Sequence, residues 1–127
     1  MSKEIQIHKN TMIVSETDEK GIIIYANDDF CNIAGYSKEE LIGKPHNLVR
    51  HEDMPKVAFQ DLWNTVQSGK VWNGIVKNKT KSGDFYWVNA TAYQSKTQDG
   101  KLRYISVRVC PSDDEIKSAE ALYKTLR

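Results

Sequence analysis

Five side chains between positions 46 and 78 are of types that bind rather than cleave. His46, Arg50 and His51 fall in the irregular polar run Pro45 to His51. A guanidinium is a planar fork suited to a diphosphate, and imidazole nitrogens can donate to phosphate or to ring acceptors. The same three residues also suit a solvated polar loop. Trp63 lies on the row beside the apolar stripe of a helical segment, where it serves either as core or as an aromatic wall against a planar ligand. Asn78 stands in a strand-like run, where asparagine is disfavoured. A buried amide there needs partners, and the edge of a heteroaromatic ligand offers both donor and acceptor. Asn89 and Thr91 are weaker candidates of the same kind.

Other chemistries find little support. No nucleophile–base pair, glycine-rich phosphate loop or convincing pair of carboxylates is present, so an enzyme is not expected. His8, His46 and His51 do not form H-E-x-x-H. Cys31 and Cys110 belong to no C-x-x-C pair, which favours reduced thiols over a zinc site or a disulfide. The net charge of +1 provides no basic excess for nucleic acid or an anionic membrane. No apolar run approaches the roughly 20 residues of a bilayer span, and the polar start Met1 to Asn10 is no signal peptide. A cytoplasmic location is therefore expected. With 127 residues, 39% hydrophobic and 28% charged, the chain is long enough for one domain with a real core.

The elements that must position these residues follow from local patterns. Met12-Ile13-Val14 begins a strand, Asp18 to Gly21 reads as a hairpin turn, and the β-branched run Ile22 to Ala26 predicts a strand buried on both faces. Asn27 can cap a helix whose first turn carries Asp28 and Asp29, ending at Gly35. Ser37 and Glu40 form a capping box closed by Gly43. Asp53 and Pro55 start the clearest helix, with Ala58, Leu62 and Val66 as its stripe and Phe59 and Trp63 beside it; Gly69 ends it. Three strands follow, Val71–Thr80, Asp84–Lys96 and Lys101–Cys110. In the last, Ile105, Val107 and Val109 alternate with Tyr104, Ser106 and Arg108, which predicts a half-buried strand. Residues 111–115 cap a terminal helix with the apolar stripe Ile116, Ala119, Leu122, Tyr123 and Leu126. Segregated strands and helices predict an α+β fold with an antiparallel sheet of about five strands. The expected division is a lead-in over 1–11, a folded domain over 12–111 and an amphipathic helix over 112–127.

That order is also the order of elements in PAS domains, and the run Tyr25 to Gly43, a strand leading into a capped helix, a G-Y-S turn and a second capped helix, resembles the general PAS signature. Three further runs, Pro45 to Pro55, Trp72 to Asn78 and Gly83 to Val88, resemble those of bacterial aerotaxis receptors. The resemblance covers roughly Thr11 to Tyr123. It implies a PAS sensor with short helices on one side of the sheet, non-covalently bound FAD, and redox state reported to a chemotaxis output. Carried over position by position, it implies flavin contacts at Asn27, His46, Arg50, His51, Asp53, Trp63 and Asn78, with Trp72 nearby. Full aerotaxis receptors continue into membrane, HAMP and signalling segments not seen here, so the chain is expected either to work through a partner or to be a fragment.

Three alternatives stay open. A haem would use His46 or His51 as an axial ligand. A small metabolite could fill the same pocket. A cofactor-free interaction module would dimerise through the near-heptad stripe of the terminal helix, whose simpler use is packing on its own domain. A homodimer or a chemotaxis signalling protein is the expected partner. Blue-light adduct chemistry is disfavoured, because residues 45 to 55 contain no cysteine.

Overall fold

The computed structural model describes residues 2–126; Met1 and Arg127, at the two ends of the expected lead-in and terminal helix, lie outside the described residues. Five strands form one antiparallel sheet: β1 (Met12–Thr17), β2 (Ile23–Ala26), β3 (Trp72–Lys79), β4 (Phe85–Lys96) and β5 (Leu102–Val109), in the order β2-β1-β5-β4-β3. Helices α1 (Asp28–Ala34), α2 (Lys38–Leu41) and α3 (Lys56–Gln67) fall between β2 and β3, and α4 (Asp113–Leu126) follows β5.

The β1–β2 turn forms as its residues dictate. Asp18 Oδ1 accepts from the backbone N–H groups of Lys20 (2.9 Å) and Ile22 (3.0 Å), and Gly21 takes φ of 85°, which a side chain would resist. Expected burial on both faces of β2 is overturned: Ile23 and Ala26 are buried, but Ile24 and Tyr25 are 38% and 48% exposed. As a four-residue edge strand, β2 has a neighbour on one side only.

Helix α1 starts where Asn27 caps it. The Asn27 side-chain oxygen accepts from Phe30 N (3.1 Å) and from Val14 N (3.0 Å), and its amide donates to Met12 O (2.8 Å), so one residue ties the helix start to β1. Ser37 and Glu40 close the expected capping box of α2. Helix α3 begins at Pro55 with no side-chain cap; Asp53, expected at this start, instead meets Lys77 on β3 at 2.8 Å. Phe30, Leu41, Val49, Val66, Tyr86 and Val88 are fully buried at the centre of the core.

Strand β5 is half-buried, as its alternation predicts. There the polar row turns inward: Tyr104 and Arg108 are buried, whereas Val109 is 36% exposed. Cross-strand pairing puts Ser106 and Arg108 level with Ser15 and Ile13 of β1 and with Ala92 and Ala90 of β4, all on the face covered by helices. The apolar stripe of α4 divides. Ala119 and Tyr123 are buried against the domain, with the Tyr123 hydroxyl donating to Ile75 O of edge strand β3, while Leu122 and Leu126 are 54% and 46% exposed. No helix among the described residues is long and apolar enough to cross a membrane.

Candidate functional site

Between the sheet and α3 lies a cavity of about 710 Å³. Such a volume suits a small-molecule or cofactor site. Its floor is the inner face of the sheet, with Ser15 and Thr17 on β1, Tyr104, Ser106 and Arg108 on β5, Ala90 and Ala92 on β4, and Val76 and Asn78 on β3. Two alanines on a long central strand leave room where larger side chains would fill it. Phe59, Leu62, Trp63 and Val66 of α3 form the roof, and the loop from Pro45 to Arg50 forms one side.

The charge of the lining is one-sided. Lys20, Arg50, Lys56 and Arg108 all line the cavity, and no aspartate or glutamate among the described residues does. Lys20, Arg50 and Lys56 have no ion-pair partner among the described residues. Arg108 is only 3% exposed and has no carboxylate partner among the described residues. A buried cation without a counter-ion is costly unless something else meets its charge.

Neutral partners do part of that work. Arg108 Nη2 donates to Ser15 Oγ (2.8 Å) and Nη1 donates to His46 Nε2 (2.9 Å). A guanidinium can only donate, so His46 Nε2 is the acceptor, its Nδ1 carries the proton, and the ring is neutral. Ser15 Oγ lies 2.9 Å from the same nitrogen and completes the cluster. Burial, and then the Arg108 charge, push His46 down to about 3. Burial lowers Arg108 to about 10, still protonated near neutral pH. Phe30 supports both groups, 4.6 Å from the Arg108 guanidinium carbon and stacked on the His46 ring at 5.9 Å. Two buried polar atoms of the lining, Thr17 Oγ1 and Arg108 Nε, have no hydrogen-bond partner among the described residues. Such groups are normally satisfied, so they are suited to a bound ligand.

Four of the eight residues singled out above line this cavity. His46 comes in through the network just described. Arg50 lays its guanidinium carbon 4.8 Å from the Phe59 ring centre. Trp63 reaches across the roof, edge-on to Tyr104 at 5.2 Å. Asn78, 4% exposed, turns its side chain to the inner face of β3.

The other four are placed elsewhere. Asn27 is consumed by capping α1 and bridging to β1. His51 follows Arg50 through the isolated bridge that Arg50 makes with Asn78, and so faces away. Its Nδ1 accepts from Asp53 N (3.0 Å), its ring lies against Phe85, and burial followed by the Lys77 charge lowers its pKa. Asp53 pairs with Lys77 outside the cavity. Trp72 donates Nε1–H to Asp61 (2.8 Å) and folds its ring over Gly74, fastening β3 to α3 along a separate surface groove.

This geometry bears on the haem alternative. His46 Nε2 is already engaged by Arg108 and Ser15, and His51 stands outside the cavity. Neither Cys31 nor Cys110 lines it. The residues missed from the sequence are Ser15, Thr17, Tyr104 and Arg108. The available signal was a charged residue in a strand flanked by valines, Val107-Arg108-Val109.

Comparisons with known proteins agree with this architecture. A model of the PAS fold matches residues 23–109. The aerotaxis receptor of Escherichia coli is 48% identical over 118 residues, covering 92% of this chain and 23% of that protein. The nitrogen fixation regulatory protein of Klebsiella oxytoca is 28% identical over 98 residues, covering 77% of this chain and 20% of that protein. The chain thus spans less than a quarter of the length of these two relatives. Among solved structures, a light-oxygen-voltage domain studied with a flavin analogue superposes with a TM-score of 0.72 at 18% identity, covering 91% of this chain and 87% of that one. The Aureochrome1 LOV domain in its light state gives 0.71 at 19% identity, covering 90% and 87%. At these identities the two structures inform on fold alone.

Proposed function

The chain belongs to the PAS fold family, and from that premise we propose that its cavity binds FAD non-covalently and that the domain reports the redox state of the flavin to a chemotaxis-type output. The observation that carries this reading is the lining itself: four cationic side chains, no carboxylate among the described residues, and aromatic surface from Phe59, Trp63 and Tyr104. A lining of that kind suits a ligand that is both anionic and aromatic. The name of the relative at 48% identity supports the aerotaxis-type output.

Asn78, Arg108 and Thr17 would meet polar edges of the flavin, Trp63 and Phe59 its flat surface, and Arg50 its phosphates. When bound, FAD supplies reversible electron uptake, which changes the charge and hydrogen-bonding pattern of the ring system. The protein's part is to respond unequally to the two states, since a ligand shifts a conformational equilibrium only through differential affinity. Arg108 favours negative charge in its surroundings. The neutral His46 keeps that guanidinium oriented without cancelling its charge. Asn78 can offer either a donor or an acceptor.

Strand β3 offers a route outward. Its inner face carries Asn78 and Val76, and three residues from Asn78 the Ile75 carbonyl accepts from Tyr123 of α4. A shift of β3 that follows a changed contact at Asn78 therefore reaches α4 directly. Exposed Leu122 and Leu126 on that helix are available to a second copy or to a chemotaxis signalling protein. Residues 12–111 act on this reading as the sensor and the terminal helix as its transmitter.

The test is the absorption spectrum of the purified protein, followed by heat release of the chromophore. Flavin bands that bleach on reduction, with FAD in the supernatant, support the proposal. A haem band, or a colourless protein that takes up no added FAD, contradicts it.

A further inference from the structure

The cavity's cations fall into two groups. Arg108 is buried on the floor and Arg50 half-buried at the side, whereas Lys20 and Lys56 are exposed where the lining opens to solvent beside Pro45, Asn47, Gln60 and Asn64. Lys20 comes from the β1–β2 turn and Lys56 from the first turn of α3, so two unconnected elements each bring one ammonium to the opening. Neither is seen in a close ion pair among the described residues, although Asp18 and Glu19 precede Lys20 in the same turn and Asp53 stands three positions before Lys56. Asp53 pairs with Lys77 at 2.8 Å.

From this arrangement we infer that Lys20 and Lys56 join Arg50 in holding the diphosphate of the ligand at the cavity opening, so that the site selects a dinucleotide over a mononucleotide or an uncharged flavin. This rests on the flavin reading above and adds which part of the molecule is selected, and by which residues. A diphosphate carries its charge on several oxygens, which suits two separated ammonium groups better than one. Being exposed, each lysine contributes a screened and therefore salt-dependent attraction.

The test is to titrate flavin-free protein with riboflavin, FMN and FAD, following flavin fluorescence at low and at high salt. FAD should bind about 10-fold or more tighter than riboflavin at low salt, and high salt should narrow the gap. Lys20→Ala and Lys56→Ala should each weaken FAD by roughly 3- to 10-fold and leave riboflavin unchanged. Both residues are exposed, so the variants should keep the parental melting temperature. Riboflavin or FMN binding as tightly as FAD overturns this inference while leaving the flavin reading intact, as does a lysine variant that weakens FAD and riboflavin equally or not at all. Binding of none of the three overturns the flavin reading and this inference together.

Discussion

Arg108 Nη1 donates to His46 Nε2 across 2.9 Å, joining a β5 side chain to a loop residue 62 positions away. The contact fixes the neutral form of the histidine, and its consequence is a pH dependence of known sign. His46 has a folded pKa near 3, against about 6.5 for an unfolded histidine. Between those values the unfolded chain binds a proton at this residue and the folded one does not. Its stability contribution is therefore complete above pH 6.5 and is lost as pH falls toward 3. This group alone contributes a slope of up to about 1.4 kcal/mol per pH unit. Denaturant unfolding at pH 7, 6 and 5 checks the slope, and His46→Gln should flatten it. An NMR titration in which His46 protonates near 6.5 would contradict the arrangement.

Two glycines distinguish the cavity from its surroundings. A Cβ on Gly21 would lie 3.1 Å from Trp63 Cζ2, and the residue has φ of 85°. Gly21→Ala should cost about 1–2 kcal/mol and also loosen FAD, because Trp63 must shift. A Cβ on Gly74 would lie 2.5 Å from Trp72 Cη2. Gly74→Ala should destabilise by about 1–3 kcal/mol but leave FAD affinity within roughly threefold, since Trp72 stands outside the cavity. Thermal melts paired with FAD titrations separate the two effects.

Arg50 and His51 are neighbours with opposite orientations. Arg50→Ala should weaken FAD binding by about tenfold or more, whereas His51→Ala should change it by less than about threefold. Equal losses for both would mean that the loop binds as a unit and that the outward placement of His51 is wrong.

Ala92 leaves the floor open. Ala92→Leu adds volume on the cavity side, where there is space to receive it. The fold should tolerate it with less than about 1.5 kcal/mol of change, while FAD binding drops by at least tenfold. Circular dichroism together with flavin content after purification is the check.

Much of the fold was legible because its signals are local. Asn27, Ser37 with Glu40, and the turn from Asp18 to Gly21 each satisfy backbone groups within a few residues, and all are found in those roles. The facing of β5 was not legible. Alternation predicts a half-buried strand, as found, but does not say which row faces in; a dry interior would favour the apolar row Ile105, Val107 and Val109. A ligand cavity reverses that premise, and the polar row with Tyr104 and Arg108 turns inward. The edge position of β2 depends on strand order, which its own β-branched residues do not encode. Within the site, loop residues 46–51 stood out by type, but the inward turn of Arg50 and the outward turn of His51 depend on the bridge from Arg50 to Asn78, a long-range pairing. Asn27 carried two readings, cap and ligand contact, and the structure spends its described side-chain hydrogen bonds on the cap and on the tie to β1.

The most direct test of ligand placement follows side-chain N–H signals by ¹⁵N NMR as FAD is added to flavin-free protein. The three tryptophan indoles and the asparagine amides report separate surfaces. The Trp63 indole and the Asn78 amide should shift strongly, while the Trp72 indole, held by Asp61, and the Asn27 amide, held by Met12 O, stay close to their starting positions. Shifts at Trp72 and Asn27 with Trp63 and Asn78 unmoved, or no shifts at saturating FAD, would contradict binding in the cavity beneath α3.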